Sequence, residues 1–382
     1  MKNQEQKSVQ GILDYIKWRG DLPFSVDPIN EIDALIFSQL SYLNFADIIS
    51  PEFSKSGITL AQASRDFFNS SDLEKRSNPG LFINDLLIQM LLEMAKTIRY
   101  ADMSLCGYRE TLDTEAEKQF AAVTIYPGDG TLFVVYRGTD DTLVGWKEDF
   151  NMAFITPIPS QIEAVTYLQQ AASKHWGKIR VAGHSKGGNL AIYASTYCGN
   201  KTQRKIIEVY NNDGPGFAQD ITKTTEYQPI ADKVQTFVPQ TSIIGMLLEQ
   251  HGPYKTVKST EVGIMQHDPF SWELDGPMFD TIENVTNQSI AIDKTIKAWL
   301  KTISQEERSL FVDTLYKILT CTNAATLSQL AVDFKKNPLL IVKTLIGIDQ
   351  ETRSMICQIL QQLFKSAKQT IPTMTEFMKI IN

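Results

Sequence analysis

Through residues 10–100 apolar side chains recur every three or four positions, the period of an amphipathic helix, with Ile12, Leu13, Ile16 and Trp18 opening the pattern. Residues 30–45 and 83–98 carry it best, with the polar stretch 69–80 between them, so this region predicts helices that cover one face of a sheet. After residue 100 the period changes. Residues 120–126 and 132–136 are short and rich in β-formers, and Gly128-Asp129-Gly130 between them predicts a hairpin. A helix over 160–175, a strand over 179–182 and a helix rich in small residues over 190–198 follow. Residues 206–210, 234–238 and 254–257 each read as a strand reached through a polar connection. Strands alternating with helices predict an α/β fold with an open, largely parallel sheet.

From about residue 284 the strand signals stop. Ser304-Gln305-Glu306-Glu307 matches a capping box ahead of Leu310, Phe311, Leu315 and Ile318, and Asn337-Pro338 predicts another helix start before residues 339–346. The chain therefore divides into an N-terminal helical region (1–100), an α/β core (101–283) and a C-terminal helical bundle or cap (284–382). It carries no internal repeat and no low-complexity stretch.

Gly183-His184-Ser185-Lys186-Gly187 joins the predicted strand to the small-residue helix. A G-x-S-x-G string alone recurs by chance in roughly one chain in eight of this length, given glycine and serine frequencies of about 7% each. Its setting gives it weight. A strand-to-helix turn around a serine is the nucleophile elbow of α/β-hydrolases, in which flanking glycines remove Cβ atoms where strand and helix crowd together. Such a turn exposes the Ser185 hydroxyl and aims the Lys186 backbone N–H at a developing oxyanion. The bland alternative is a glycine-rich turn that merely packs.

A serine hydroxyl needs a base to take its proton, and four histidines are available. His184 adjoins the nucleophile and points elsewhere on the elbow, and His175 suits the end of the preceding helix. His267 follows the last predicted strand, in the chain order of this fold, and is favoured over His251, which reads as a surface-loop residue.

Composition narrows the class further. The 382 residues are 43% hydrophobic and 21% charged, with no apolar run long enough to cross a bilayer. Residues 1–10 are polar and lead into no secretory-type hydrophobic segment, so a cytoplasmic protein is expected. Cys106, Cys198, Cys321 and Cys357 lie far apart and fit reduced, buried thiols. The net charge of −7 is modest and Lys and Arg are dispersed, which argues against nucleic acid as a partner. Metal-ligand spacings, a P-loop and a dinucleotide fingerprint are all missing, and no cofactor is expected.

Val135-Tyr136-Arg137-Gly138-Thr139, followed by Trp146 and Asp149 and then by the elbow, resembles the class 3, fungal-type lipases over roughly residues 120–272. That resemblance implies that Thr139 supplies a backbone N–H, and its hydroxyl as a further donor, to the oxyanion hole. It also implies that Trp146 lies in a lid and that Asp149 braces the loop. Trp18-Arg19-Gly20-Asp21 and Asn212-Asp213-Gly214-Pro215-Gly216 look more like a bacterial family of lipase-like proteins with no assigned substrate. The class 3 lipases place their triad Asp just beyond the strand matching residues 234–238, but Pro239-Gln240-Thr241-Ser242-Ile243-Ile244 has no carboxylate. Asp213, at the end of the preceding strand, is the first candidate for the acid, with Asp268 and Asp149 as alternatives. Lys186 stands where lipases commonly have an apolar residue. A solvated lysine is expected there, the alternative being attraction of an anionic substrate.

The expected activity is ester hydrolysis through an acyl-enzyme, with acyl esters or lipids as substrate and thioesters or short peptides also open. A second expectation is a weakly active or inactive hydrolase fold used as an interaction module, its C-terminal helices docking a protein partner.

Overall fold

Leu132-Phe133-Val134-Val135-Tyr136 is apolar throughout because this strand is covered on both sides. Phe133 and Val135 face one core, while Leu132, Val134 and Tyr136 face the other. The computed structural model describes residues 11–76, 86–248, 252–320, 324–326, 328–330, 347, 350 and 352–354. Among them, nine strands form one mixed sheet in the order β1-β2-β3-β4-β5-β6-β7-β8-β11. The strands are β1 (Ile58–Thr59), β2 (Ser104–Asp113), β3 (Lys118–Tyr126), β4 (Leu132–Tyr136), β5 (Ile179–His184), β6 (Ile206–Asn212), β7 (Val234–Pro239), β8 (Tyr254–Val257) and β11 (Thr281–Ile282), while β9 (Leu274–Asp275) and β10 (Met278–Phe279) pair as a small hairpin. β4 to β8 run parallel, and β1 to β3 and β11 are antiparallel edges. The predicted hairpin is β3-β4, and the predicted parallel strands are β5 to β8.

One face of the sheet is covered by the N-terminal helices α1 (Ile12–Arg19), α2 (Glu31–Leu40), α3 (Leu60–Phe68) and α5 (Leu86–Met94), with the short α4 (Leu73–Arg76) beside them. Asn30 caps α2 by accepting from the Ile32 and Asp33 N–H groups. The helix stops short of the expected residue 45: Tyr42, Leu43 and Phe45 bury themselves in a turn instead. Asp33 is itself buried and accepts from Arg99 at 2.9 and 2.5 Å and from the Tyr100 hydroxyl at 2.7 Å, which ties this layer to the chain entering β2.

The opposite face packs against α7 (Pro159–Ser173) and α8 (Lys186–Tyr197), with the short α9 (Asn200–Gln203) following. Between β4 and α7 lies α6 (Leu143–Asn151), capped by the Thr142 hydroxyl. This is the α/β-hydrolase arrangement. α10 (Asn287–Leu300) and α11 (Gln305–Leu319) follow the sheet, and Ser304 and Glu307 form the expected reciprocal cap. Asn337-Pro338 with residues 339–346, His251, Cys321 and Cys357 lie outside the described residues. Cys106 and Cys198 are free and buried. No helix among the described residues is long and apolar enough to cross a membrane.

Candidate active site

β5 and β6 are parallel neighbours in a register that pairs His184 with Asn212, so Ser185 and Asp213 leave the sheet side by side. Ser185 has φ 58° and ψ −135°, a strained conformation for a non-glycine residue. Its N–H is held by the Asn212 carbonyl at 3.0 Å, and α8 begins at the next residue. Gly183 and Gly187 make this turn feasible: a Cβ at Gly183 would strike the Gly187 carbonyl, and one at Gly187 would strike the Tyr136 carbonyl of β4. Gly187→Ala is therefore expected to cost about 1–3 kcal/mol of stability. A urea midpoint equal to that of the parent would contradict this packing argument.

Asp213 is fully buried, with φ 50°. Its Oδ2 lies 2.6 Å from His267 Nδ1, while Oδ1 accepts from the Ser242 hydroxyl at 2.5 Å and from the Gly245 N–H at 3.1 Å. The loop after β7, which lacks the carboxylate seen in class 3 lipases, thus supplies two donors to a carboxylate one strand over. A carboxylate facing Nδ1 selects the His267 tautomer protonated there and leaves Nε2 as the basic nitrogen. Asp268 is used differently: its Oδ1 caps the following turn through the Phe270 N–H at 3.0 Å.

His184 does not simply point away from the site. Its ring lies 4.5 Å, centroid to centroid, from that of His267, and its Nε2 is 2.9 Å from the His267 carbonyl. Burial, reinforced by the neighbouring His267, pushes its pKa well below the ordinary histidine range. The neutral ring then donates from Nε2 to the His267 carbonyl and accepts at Nδ1 from the Tyr42 hydroxyl, 3.0 Å away. Both nitrogens are occupied, and the ring braces the loop that carries His267. His175 stands by the other end of β5, next to the Tyr126 ring and the Lys178 carbonyl.

Gly138 passes directly over the elbow, where any Cβ would meet the His184 carbonyl, the Ser185 Cβ and the Tyr42 hydroxyl. Thr139 follows it, and its hydroxyl donates to Asp149 Oδ2 at 2.6 Å. Trp146 and Asp149 both belong to α6, with Trp146 half-buried beside Phe150.

Lys186 corrects the sequence reading, which expected it to be solvated. Its side chain is 1% exposed. Nζ donates to the Gln119 carbonyl at 3.0 Å, to Gln119 Oε1 at 2.6 Å and to Glu148 Oε2 at 3.0 Å, which uses all three ammonium protons. A substrate-facing role for this ammonium is thereby removed. Sequence reasoning missed Tyr42, Gln119, Glu148, Ser242 and Gly245. The one local signal was Glu148, a second acidic residue beside Asp149 in Trp146-Lys147-Glu148-Asp149.

The cluster offers a strained serine hydroxyl, an imidazole oriented by a buried carboxylate, and backbone N–H groups at a helix start, the parts needed for acyl transfer. No group of three or more His, Cys, Asp or Glu among the described residues is placed to hold a metal ion.

A family model described as Mbeg1-like matches residues 94–317. Among solved structures, the M37 lipase is similar at 16% identity over 57% of this chain and 70% of that one, with a TM-score of 0.36. A triacylglycerol lipase from Penicillium expansum is similar at 13% identity over 48% of this chain and 82% of that one, with a TM-score of 0.28. No curated protein matches the chain.

Proposed function

The chain belongs to the Mbeg1-like family, and we propose that it is a serine ester hydrolase that works through an acyl-enzyme. The observation that carries this reading is the 2.6 Å bond between His267 Nδ1 and buried Asp213, one residue beyond the register pair that ends at the strained Ser185 elbow. In the proposed cycle, His267 Nε2 takes the Ser185 proton as Oγ attacks the ester carbonyl, and the backbone N–H groups of Lys186 and Thr139 hold the oxyanion. The imidazolium formed at His267 faces the Asp213 carboxylate and later gives its proton to the leaving alkoxide. Water then repeats the sequence on the acyl-enzyme. Carboxylic esters of lipid or acyl type are the proposed substrate class. The inactive-module alternative rests on the missing carboxylate after β7 and on the roughly hundred C-terminal residues without a catalytic motif; the 2.6 Å contact of Asp213 with His267 favours the hydrolase reading on the first of these.

A fluorophosphonate probe tests the reading without knowledge of the substrate, because it phosphonylates an activated serine. The expected result is a single adduct on the peptide containing Ser185. An adduct on another serine, or none, would overturn the assignment.

A further inference from the structure

We propose that Lys186 is a positioning residue for the oxyanion hole: its buried ammonium ties Glu148 and Asp149 of α6 to the elbow, so that Asp149 holds Thr139 with its backbone N–H fixed over Ser185. The inference rests on the serine-hydrolase reading above and assigns a role to the residue that departs most from the lipase pattern.

The geometry forms one continuous path. Lys186 Nζ lies 3.0 Å from Glu148 Oε2 and 3.8 Å from Asp149 Oδ1. Glu148 is fully buried and also accepts the backbone N–H groups of Gln119, at 3.1 Å, and Ser160, at 2.9 Å, which locks the start of β3, α6 and α7 around the ammonium. The neighbouring carboxylate, Asp149, accepts from the Thr139 hydroxyl at 2.6 Å. Thr139 follows Gly138, which touches the Ser185 turn. The residue after the nucleophile thus reaches back, through two carboxylates, to the loop that faces the nucleophile.

Packing alone does not call for a cation here, since a buried ion pair can often be replaced by apolar side chains of similar volume at little cost in stability. What an ammonium adds is a positive potential at Asp149. Burial is the largest influence on the Asp149 carboxyl and, with smaller upward pushes from Glu148 on the same helix and Asp140 in the loop after β4, leaves it at about 6 even though Lys186 and the Thr139 bond pull downward. The Tyr42 hydroxyl, beyond α2, also interacts with this carboxyl. Lys186 is therefore the counter-charge that keeps Asp149 an acceptor at neutral pH. Once protonated, Asp149 would carry a proton of its own in the bond to Thr139, and the loop would lose its fixed donor-to-carboxylate direction.

The test measures the second-order rate of fluorophosphonate labelling at Ser185 from about pH 5 to pH 9, the window in which groups of this kind titrate. Lys186→Met is expected to slow labelling at neutral pH by about 10- to 100-fold, less than the loss of an oxyanion donor itself. It should also move the acid limb to higher pH. Adding Asp149→Asn should cancel that shift, so that the double variant follows the profile of Asp149→Asn alone. Should Lys186→Met fail to fold because Glu148 is left without its cation, the Lys186→Met/Glu148→Gln pair carries the same test without that unpaired charge. Its acid limb, compared with that of Glu148→Gln alone, should again move to higher pH, less far from the parent because the Glu148 charge that raises Asp149 is gone as well. A parental rate and profile, or a slowing equal at every pH, would assign Lys186 to packing and overturn the proposal. Failure of the parent protein to label at Ser185 would instead remove the reading beneath it.

Discussion

Alanine at position 267 is expected to lower the rate of p-nitrophenyl ester hydrolysis by about 10⁴-fold or more, at the upper end of what loss of a general base costs. The size follows from the lack of a substitute among the described residues. Among them His184 is the nearest imidazole, but one nitrogen is committed to the His267 carbonyl and the other to Tyr42, and burial keeps the ring neutral. His175 sits at the far end of β5, beside Lys178. A mutation at His267 also takes away the partner of Asp213 Oδ2, so part of the loss reflects a disturbed site and not the base alone. His251→Ala provides the comparison, with activity expected near that of the parent. The reverse ranking would move the base to His251 and detach Asp213 from the chemistry.

The sheet and the elbow were legible in the sequence because both are local. Strands β4 to β8 are short apolar runs between polar connections, and the elbow is a strand, a serine and paired glycines in consecutive positions. β2 was not legible. Its stretch Ser-Leu-Cys-Gly-Tyr-Arg-Glu-Thr-Leu-Asp loses the two-residue period at a register shift between Cys106 and Arg109, where Gly107 takes φ 64°. β9, β10 and β11 have two residues each and leave no pattern to read.

Burial of single side chains was the other blind spot. Nothing next to Lys186 in sequence reveals its pocket, which is built by Gln119 at the start of β3 and by Glu148 on α6, 67 and 38 residues away. The same holds for Tyr42, which reaches His184 across 142 residues. Helices α10 and α11 dock beside the site in an equally nonlocal way. The Thr286 N–H, at the start of α10, donates to the Gln240 carbonyl at 2.7 Å, and Lys147 of α6 pairs with Asp313 of α11 at 2.7 Å. The acid lies between these cases. Strand order alone makes β6 the neighbour of β5, so Asp213 could be nominated from sequence, but its choice over Asp268 required the direction of the carboxylate.

That direction yields the second large expectation: Asp213→Asn should lower kcat by about 10³- to 10⁴-fold while KM and the urea midpoint stay near their parental values. An amide keeps the shape of the carboxylate but replaces one acceptor with a donor. Which end of the amide faces His267 is decided by Gly245, whose backbone N–H points at Oδ1 from 3.1 Å and cannot turn into an acceptor. The Ser242 hydroxyl, at 2.5 Å from the same oxygen, can rotate to suit either end, so it does not oppose the choice. The amide oxygen therefore stays with Gly245, and the NH₂ group takes the place of Oδ2, 2.6 Å from His267 Nδ1. A donor in that position forces His267 to accept at Nδ1 and to carry its proton on Nε2 instead. The nitrogen meant to take the Ser185 proton is then already protonated, and no carboxylate remains to stabilise an imidazolium. Asp213→Ala should behave differently: it frees both tautomers but removes the buried carboxylate that accepts from the Ser242 hydroxyl and the Gly245 N–H, so its activity loss should come with a lower urea midpoint. Near-parental kcat in the Asn variant would remove Asp213 from the triad and leave Asp268 or a water-supported pair to orient His267.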